Sequence, residues 1–283
     1  MKKIGFIDYF IDEWHANNYP KMITEAKLGK DFQVSLAWED TTPAGKKPLA
    51  EWCAAFGVKQ AKSIEQVVAD CDCLVVLSPD NPEHHERLAD LPLKSGKPVY
   101  MDKPFSLELA TARRLVAKAE KHGTPLMSSS ALRFATQIQE AVAAHGKHAD
   151  FALVRGTGAF ENYAVHSVEM LVTLMGPQPK RIMCVGGDNK AMVFMVEFTD
   201  GRRGFFSMAP GHPFQFSAQY GDESVRGDNM PDFFARFIDG MLEFFASGKS
   251  SVAPAETLAV VALLEAGLKS KQKPDAWIPV ALA

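Results

Sequence analysis

Cysteine, long apolar runs and excess basic charge are all scarce or missing in this sequence. The chain has four cysteines, and Cys71 and Cys73 are separated by one residue rather than by the two typical of metal ligands, while Cys53 and Cys184 stand apart. We therefore expect reduced thiols in the cytoplasm and no metal site. No apolar run is long enough to span a membrane. A formal net charge of -3 also argues against nucleic-acid or anionic-membrane partners.

Length and apolar content favour two domains. At 283 residues, 47% of them apolar, the chain can bury two cores. Its first part repeats a short apolar run, a loop and an amphipathic helix, which is the pattern of βαβ units around a parallel sheet. Candidate strands lie at 4–7, 32–38, 73–77, 99–101 and 126–129. With right-handed crossovers, this pattern predicts an α/β domain over residues 1–125, built on a doubly wound parallel sheet of the Rossmann type.

Residues that start and stop helices mark the boundaries in this first domain. Asp12 can cap the first helix and Gly29 can end it, whereas Pro82 can open a later helix and Gly123 can follow the last one. His84 and His85 come just after Pro82. We expect them at an exposed helix start, with contact to substrate or cofactor as the alternative.

The pattern changes after about residue 130. Helices are predicted at 135–144, 163–175, 232–246 and 254–269, with extended segments between them. Two of these segments flank Thr199-Asp200-Gly201, and Asp-Gly between apolar runs is a strong hairpin signal. The segment 126–283 is therefore expected to form an α+β domain with an open, mostly antiparallel sheet.

Glycine is missing from the loop that follows the first strand. In dinucleotide-binding domains, glycines there let the backbone approach the pyrophosphate, which rests on the amino end of the next helix. Here Asp8, Phe10 and Glu13 stand where those glycines are expected. Carboxylates near a helix start are favoured by its dipole, so they would occupy the place of a phosphate and repel a real one. The alternative is that Asp12 is an N-cap and Trp14 is a packing residue.

An acidic residue ends the second strand, in Trp38-Glu39-Asp40. Glu39 suits the position whose carboxylate holds the adenosine ribose in Rossmann domains. An acidic strand end is also common in solvated loops, so both interpretations stay open here.

The segment 96–106, GKPVYMDKPFS, resembles a signature of the glucose-fructose oxidoreductase, inositol dehydrogenase and MocA family (Gfo/Idh/MocA). That family carries Glu-Lys-Pro after such a strand, and this chain has Asp102-Lys103-Pro104. The turn beginning Ser78-Pro79 is similar to the family's Thr-Pro-Asn turn. The resemblance extends to the closing helix near 254–270, so it covers most of the chain.

The resemblance implies a Rossmann domain with NAD or NADP, hydride transfer on a sugar or polyol hydroxyl, and homo-oligomers, dimeric or tetrameric, formed through the second domain's sheet. In the family, the lysine of the signature lies between nicotinamide and substrate, where an ammonium can bind the reacting hydroxyl. Lys103 inherits that position, with a solvated surface charge as the alternative. The cofactor-binding candidates are Phe10, Ile11, Glu39, Ser78, Pro79, Asp102 and Lys103.

The family's second signature, Asp-x-Gly-x-His-x-x-Asp, resembles the helical segment from Asn162 through His166 to Glu169. This spacing puts the three side chains on one helix face. His166 is a candidate base or hydroxyl ligand, with a packing residue as the alternative, and Asn162 cannot accept a proton. Arg133, in Ala-Leu-Arg-Phe, can bind a substrate oxygen or form a structural ion pair. Catalytic candidates are thus Lys103, His166 and Asn162; substrate-binding candidates are Arg133, Asn162 and His166.

Two functions follow from these residues. The first is an NAD(P)-dependent oxidoreductase acting on a sugar or polyol. The second is a non-catalytic relative that binds a small ligand or a partner and has lost normal dinucleotide binding. The altered first loop and the changed second signature favour the second function, whereas the Asp-Lys-Pro segment favours the first.

Overall fold

The computed structural model describes residues 1–146, 148–186 and 191–282, so positions 147, 187–190 and 283 of the expected second domain lie outside the described residues. The chain divides into two compact units. Unit 1 comprises Met1–Ser106, Ala110–Ser129 and Ile238–Val252; unit 2 comprises Leu107–Leu109, Ser130–Phe237 and Ala253–Ala283. Each unit is built around its own sheet.

In the described part of unit 1, six strands form one sheet in which every pairing is parallel. They are β1 (Lys2–Asp8), β2 (Phe32–Glu39), β3 (Lys59–Gln60), β4 (Cys73–Val76), β5 (Val99–Met101) and β6 (Leu126–Met127). Their order is β3-β2-β1-β4-β5-β6. This order confirms the predicted Rossmann architecture, and it reverses direction between β1 and β4, where such sheets bind ligands beyond the strand ends.

Helices connect the strands of this sheet. They are α1 (Trp14–Glu25), α2 (Leu49–Phe56), α3 (Ile64–Asp70), α4 (His85–Leu88) and α5 (Leu109–Lys121). Of these, α1, α2 and α3 contact β2 or β1. The helix α3 packs directly against the centre of β1, because a Cβ on Gly5 would lie 2.3 Å from Val67 Cγ1. Gly5 therefore has a packing role in mid-strand and is no part of a phosphate loop.

Both predicted boundaries of α1 are wrong. Glu13, not Asp12, is its N-cap, because the longer side chain of Glu13 folds back onto the helix. Asp12 instead accepts hydrogen bonds from Asn17 Nδ2 (3.0 Å) and Lys47 N (2.9 Å). The helix ends at Glu25, and Gly29 begins a separate turn of 3₁₀ helix. Trp14 is 49% exposed, and its ring contacts the His15 ring edge to face with centroids 5.4 Å apart.

In the described part of unit 2, seven strands form a second sheet, in the order β12-β11-β7-β10-β9-β8-β13. They are β7 (Phe151–Gly156), β8 (Pro179–Cys184), β9 (Met192–Phe198), β10 (Arg203–Met208), β11 (Gln215–Tyr220), β12 (Glu223–Gly227) and β13 (Ile278–Pro279). All pairings are antiparallel except that of β7 with β10. The expected mostly antiparallel sheet is confirmed.

The predicted hairpin is present in unit 2. Strands β9 and β10 pair in register from Met192–Met208 to Glu197–Arg203, and Gly201 takes a φ of 90° in the turn between them. That left-handed backbone is the reason for glycine in the Asp-Gly turn. The helices are α6 (Thr136–His145), α7 (Phe160–Met175), α8 (Phe233–Ser247), whose residues from Ile238 belong to unit 1, and α9 (Pro254–Lys271).

Helices α7 and α9 supply much of the core of unit 2. Contacts join α7 to β7 and β10, and α9 to β8. The predicted helix 163–175 begins one turn earlier, at Phe160, whose buried ring packs on Phe194 and Phe206. None of the helices in the described ranges is long and apolar enough to cross a membrane. The four cysteines are free and buried.

Candidate functional site

The amino end of α1 lies where β1 ends, at the point where a Rossmann domain receives a pyrophosphate. Glu13 fills this position with its own carboxylate. Its Oε2 accepts from His15 N at 2.7 Å, and its Oε1 accepts from Ala16 N. The N–H of Glu13 itself donates to Ile11 O at 2.8 Å. The donors that would hold a phosphate at this helix start are therefore engaged within the chain.

Burial makes Glu13 an unusual capping residue. The side chain is nearly inaccessible, and this burial raises its pKa to about 7, against the opposing effects of His15 and of the two N–H bonds. The buried carboxylate of Asp102 also raises the pKa of Glu13. Near neutral pH, Glu13 is therefore present both as the protonated acid and as the carboxylate.

Asp8, at the end of β1, is buried beside Glu13. Its Oδ1 accepts from Ser78 Oγ at 2.9 Å, and Ser78 Oγ in turn accepts from Tyr9 N at 2.9 Å. The Oδ2 atom of Asp8 is buried without a hydrogen-bond partner in the described structure. Burial and the charge of Glu13 raise the pKa of Asp8 well above its usual range. The uncharged form of Asp8 is thus favoured relative to that of an ordinary exposed aspartate.

Asp102 and His15 connect the signature segment to the first turn of α1. His15 Nδ1 is hydrogen-bonded to Asp102 Oδ2, and both side chains are buried. Although burial raises the pKa of Asp102, His15 and Lys103 lower it overall, so Asp102 is ionised. Tyr100 Oη lies 3.3 Å from Asp102 Oδ1 and donates to Ser129 O at 3.0 Å. Tyr19 stacks on the His15 ring at 5.0 Å.

Lys103 follows directly after this anchored aspartate. Its backbone N–H donates to Asp102 Oδ1 at 2.8 Å, and its side chain is half-buried. Since Asp102 is held by His15, the backbone at Lys103 is fixed at the carboxyl end of β5. The Lys103 side chain is long enough for its ammonium group to reach a ligand placed beyond that strand end.

Glu39, at the end of β2, holds the first loop and the start of α2 together. Its Oε2 accepts from Ile11 N at 3.0 Å, and its Oε1 accepts from Leu49 N at 3.0 Å and from Thr42 Oγ1 at 2.5 Å. Glu39 is half-buried rather than lying in a solvated loop. Its position therefore suits the ribose-binding acid, although its carboxylate is already well supplied with donors.

Side chains of the first loop contact the neighbouring loops at the same strand ends. The ring of Tyr9 stacks on His84 with centroids 3.9 Å apart, and Phe10 lies under Lys46 Nζ at 5.0 Å. Pro79 is buried, and Ser78 takes a φ of 75°, a strained left-handed backbone for a serine. The loops after β1, β2 and β4 are thus tied to one another.

The expectation of an exposed helix start at His84 and His85 is wrong. His84 is half-buried against Tyr9, and His85 is fully buried. Both ring nitrogens of His85 contact backbone carbonyls, Nε2 at 2.7 Å from Leu77 O and Nδ1 at 3.1 Å from Phe105 O. His85 therefore joins the end of β4 to the segment after Lys103, which is a structural role.

In unit 2, His166 lies half-buried on α7, and its Nδ1 lies 2.7 Å from Ser130 Oγ. The ring also contacts Tyr163 and, edge to face, Phe214. Asn162, one turn earlier, is exposed. The two residues share a helix face as the spacing predicts, and His166 is oriented by a hydroxyl rather than by a carboxylate.

Glu169 does not join them. Its Oε1 accepts from Arg133 Nε at 2.6 Å, and Arg133 Nη1 donates to Glu256 Oε1 at 3.0 Å. Arg133 is buried, and both carboxylates raise its pKa against the effect of burial. Of the two roles open for Arg133, the structure contains the ion pair. One further atom, Nη2, is buried without a hydrogen-bond partner in the described structure.

Sequence reasoning missed His15, Tyr100 and Ser130. Each contacts a predicted residue. Tyr100 is two residues from its partner Asp102, whereas 87 residues separate His15 from Asp102 and 36 separate Ser130 from His166. A single sequence carries no signal for such pairs. The run Ser128-Ser129-Ser130 after the last Rossmann strand was the one local hint. Among the described residues, no group of three or more His, Cys, Asp or Glu is arranged to hold a metal ion.

Comparison with known proteins shows that part of the chain is similar to oxidoreductases. Residues 21–130 match the model of an oxidoreductase family with an NAD-binding Rossmann fold, GFO_IDH_MocA. The match includes Glu39, Ser78 and Asp102-Lys103, and it begins after the first loop. The resemblance inferred from the sequence is thereby confirmed over residues 21–130.

One curated relative and two solved structures are also similar to this chain. Trans-1,2-dihydrobenzene-1,2-diol dehydrogenase of Mus musculus is 23% identical over 219 residues, 68% of this chain; the chain spans 64% of that relative's length. Scyllo-inositol dehydrogenase of Lactobacillus casei, solved with NAD(H) and scyllo-inositol, is 13% identical with a TM-score of 0.81 over 99% of each chain. The Bordetella pertussis WlbA dehydrogenase, in complex with NADH and UDP-GlcNAcA, is 18% identical with a TM-score of 0.78 over 99% of each chain. At these identities, the structural likeness shows the fold.

The residues present fit one end of a dinucleotide but not its centre. Glu39 stands where the ribose-binding acid belongs, at the end of β2. The pyrophosphate position does not fit, because Glu13 accepts from the two N–H groups of α1 and buried Asp8 stands next to it. A diphosphate can lie at this helix start only after the carboxylate of Glu13 has left it.

Proposed function

We propose that this chain is an oxidoreductase acting on a hydroxyl group of a sugar or polyol. The observation that carries the proposal is Lys103, held at the carboxyl end of β5 by the bond from its backbone N–H to ionised, buried Asp102. Its family-matched segment and its place at a Rossmann strand end support the same role. NAD or NADP is the hydride carrier we propose, since the matched family is NAD-binding.

Lys103 has a simple chemical part in this proposal. Its ammonium donates to the hydroxyl being oxidised and reduces the cost of the negative charge that develops on that oxygen. Asp102 is a positioning residue, because it fixes the backbone of Lys103 and is itself held by His15. The pyrophosphate of a dinucleotide does not fit the first loop as it stands, because Glu13 occupies the helix start.

Within unit 2, we propose His166 and Asn162 as residues that bind hydroxyl groups. His166, oriented by Ser130, can accept a proton from a hydroxyl or hydrogen-bond to it. The exposed amide of Asn162 can bind a second hydroxyl. Sugars and polyols present several adjacent hydroxyls, which suits such a pair of neutral groups.

The Lys103→Ala variant tests this function. We expect turnover with an active polyol or sugar to fall by about 10²- to 10⁴-fold, while cofactor affinity stays within a factor of a few. Lys121→Ala, an exposed lysine of α5, is the matched control and should leave turnover unchanged. Unchanged turnover in Lys103→Ala would reject Lys103 as the catalytic group.

One observation favours a second candidate, a relative that binds a sugar-like ligand without dinucleotide chemistry. That observation is the carboxylate of Glu13 in the pyrophosphate position. Calorimetric titration of NADH and NADPH separates the two functions. Absence of binding at millimolar cofactor, for the natural chain and for variants that open the helix start, rejects the oxidoreductase and leaves the binding protein.

A further inference from the structure

We infer that Glu13 is a built-in competitor of the dinucleotide, a carboxylate of the chain that occupies the pyrophosphate position at the start of α1 and must leave before a cofactor binds. Because it concerns the cofactor of the proposed oxidoreductase, this inference rests on that function. Glu13 would thereby regulate cofactor binding, which a conventional glycine-rich loop does not do.

The hydrogen-bond donors at the start of α1 are the groups for which Glu13 and a phosphate compete. An α-helix leaves its first N–H groups without backbone partners inside the helix, and a phosphate bound there accepts from them. In this chain, the N–H groups of His15 and Ala16 donate to the two oxygens of Glu13, and the N–H of Glu13 donates to Ile11 O. A carboxylate and a phosphate compete for these donors because both are anionic oxygen acceptors.

Electrostatics add to this competition. Glu13 and Asp102 both lie close to the helix start, and neither carboxylate is exposed. A diphosphate brought to the same place would face Glu13 as a like charge. The competitor is also covalently attached to the site, so its effective concentration is at least millimolar.

The surrounding loop contacts hold the competitor in place. Asp8, beside Glu13, is bonded to Ser78, and Ile11 N is bonded to Glu39. Tyr9 stacks on His84. The first loop is therefore fastened to the loops after β2 and β4 while Glu13 caps α1, and the release of Glu13 is the change that would open the position.

The Glu13→Ser variant is the direct test. Serine keeps a capping hydroxyl and removes the charge and the bulk, so the helix start remains stabilised. We expect NADH to bind Glu13→Ser at least about tenfold more tightly than the natural chain, the effect of one charged hydrogen-bond acceptor removed from competition. The measurement is isothermal titration calorimetry with NADH and, separately, with ADP.

Asp12→Asn is the matched control. It removes the same charge one residue earlier, from a side chain that bonds Asn17 and Lys47 and does not cap α1. Its NADH affinity should change less than about threefold, the screened effect of a nearby charge. If Asp12→Asn and Glu13→Ser increase NADH affinity equally, the effect comes from the net charge of the loop and the inference is overturned.

Two further outcomes separate this inference from the proposed function. If the natural chain and Glu13→Ser bind NADH equally well, Glu13 is no competitor and the oxidoreductase stands. If neither binds at millimolar NADH, Glu13 is not the obstruction and the oxidoreductase fails with it. Tighter NADH binding by Glu13→Ser than by the natural chain supports both the inference about Glu13 and the oxidoreductase function.

The natural chain alone gives a second measurement, should the variant fold poorly. The groups facing Glu13 are Asp8 from β1, His15 from α1 and Asp102 after β5. Protonation of Glu13 weakens the competitor, so NAD⁺ affinity should rise several-fold from pH 8 to pH 6. An affinity that is flat or falls over this range contradicts the inference.

Discussion

His15 on α1 is hydrogen-bonded through Nδ1 to Oδ2 of Asp102, the residue before Lys103. This contact joins the helix that would receive a pyrophosphate to the segment that carries the candidate catalytic lysine. Both side chains are buried, and the pKa of Asp102, which burial alone would raise, is lowered by His15 and Lys103. One pair thus supports both halves of the proposed cofactor site.

Replacing His15 tests the strength of this contact. In His15→Ala, buried Asp102 loses its main partner, and we expect a loss of about 3 kcal/mol in the free energy of unfolding, as for a broken buried pair. Urea denaturation at pH 7 measures the change. The double variant with Asp102→Asn should recover part of that loss, since no unpaired charge remains. If His15→Ala costs no more than the exposed control His122→Ala, the pair contributes no stability.

The pH dependence of stability reports on Glu13. Burial raises its pKa from an ordinary 4.5 to about 7, so the folded chain binds a proton that the unfolded chain releases within that window. The stabilising contribution is complete below about pH 4.5 and is lost as pH rises through about 7, a change on the order of 3 kcal/mol. Burial also raises the pKa of Asp8, so Asp8 contributes to the pH dependence of stability with the same sign.

Comparison of the natural chain with Glu13→Gln isolates this contribution. The difference in unfolding free energy between the two should change steadily between pH 4.5 and 7, with the natural chain losing stability relative to the amide. Urea titrations at half-unit pH steps are sufficient. A difference that stays constant across the window would mean that Glu13 keeps an ordinary pKa.

Local signals in the sequence were enough for the architecture. Apolar runs at 4–7 and 73–77 predicted β1 and β4, and Asp200-Gly201 predicted the β9–β10 hairpin, because period, turn chemistry and strand length are read over a few residues. The start of α1 was missed by one residue. Aspartate is the commoner cap, but the longer Glu13 reached the N–H groups.

The candidate site depended on contacts between distant residues. Asp102 and Lys103 were found through a motif, whereas the partner that fixes Asp102, His15, comes from another helix. Arg133 was left between two roles because its partners Glu169 and Glu256 lie 36 and 123 residues away. Which of several polar residues meet in a core is decided by tertiary packing, and one sequence does not reveal it.

The buried ion pair of Arg133 gives a prediction for unit 2. Glu169→Ala removes one of the two carboxylates paired with the Arg133 guanidinium and leaves Glu256, and we expect a loss of about 3 kcal/mol or more in unfolding free energy. Glu161→Ala on the same helix, a more exposed partner of Lys271, should cost less than about 1 kcal/mol. Thermal unfolding of the three proteins side by side measures both effects. If Glu169→Ala and Glu161→Ala lose the same unfolding free energy, the buried Arg133–Glu169 pair stabilises the fold no more than an exposed pair does.

The outer face of the unit 2 sheet gives the last prediction, on assembly. Phe151 and Leu153 on β7 are each 41% exposed, and Val193 on β9 is 40% exposed. In the sheet, Leu153 is beside Phe205, which pairs with Met195, so these side chains form one apolar patch. Exposed apolar patches of this kind mark protein interfaces. We therefore expect homo-oligomers to form through this face.

Leu153→Glu places a charge within the apolar patch, and a symmetric pairing through this face would bury that charge twice, once in each copy. The variant should fold normally, because the side chain is already solvated in the isolated unit, and its mass by light scattering after gel filtration should fall to that of one chain. Lys59→Glu, exposed on β3 of unit 1, controls for the change in net charge and should leave the mass unaltered. A Leu153→Glu protein with the same mass as the natural chain would place the interface elsewhere or show that the natural chain is a monomer, and the mass of the natural chain distinguishes these results.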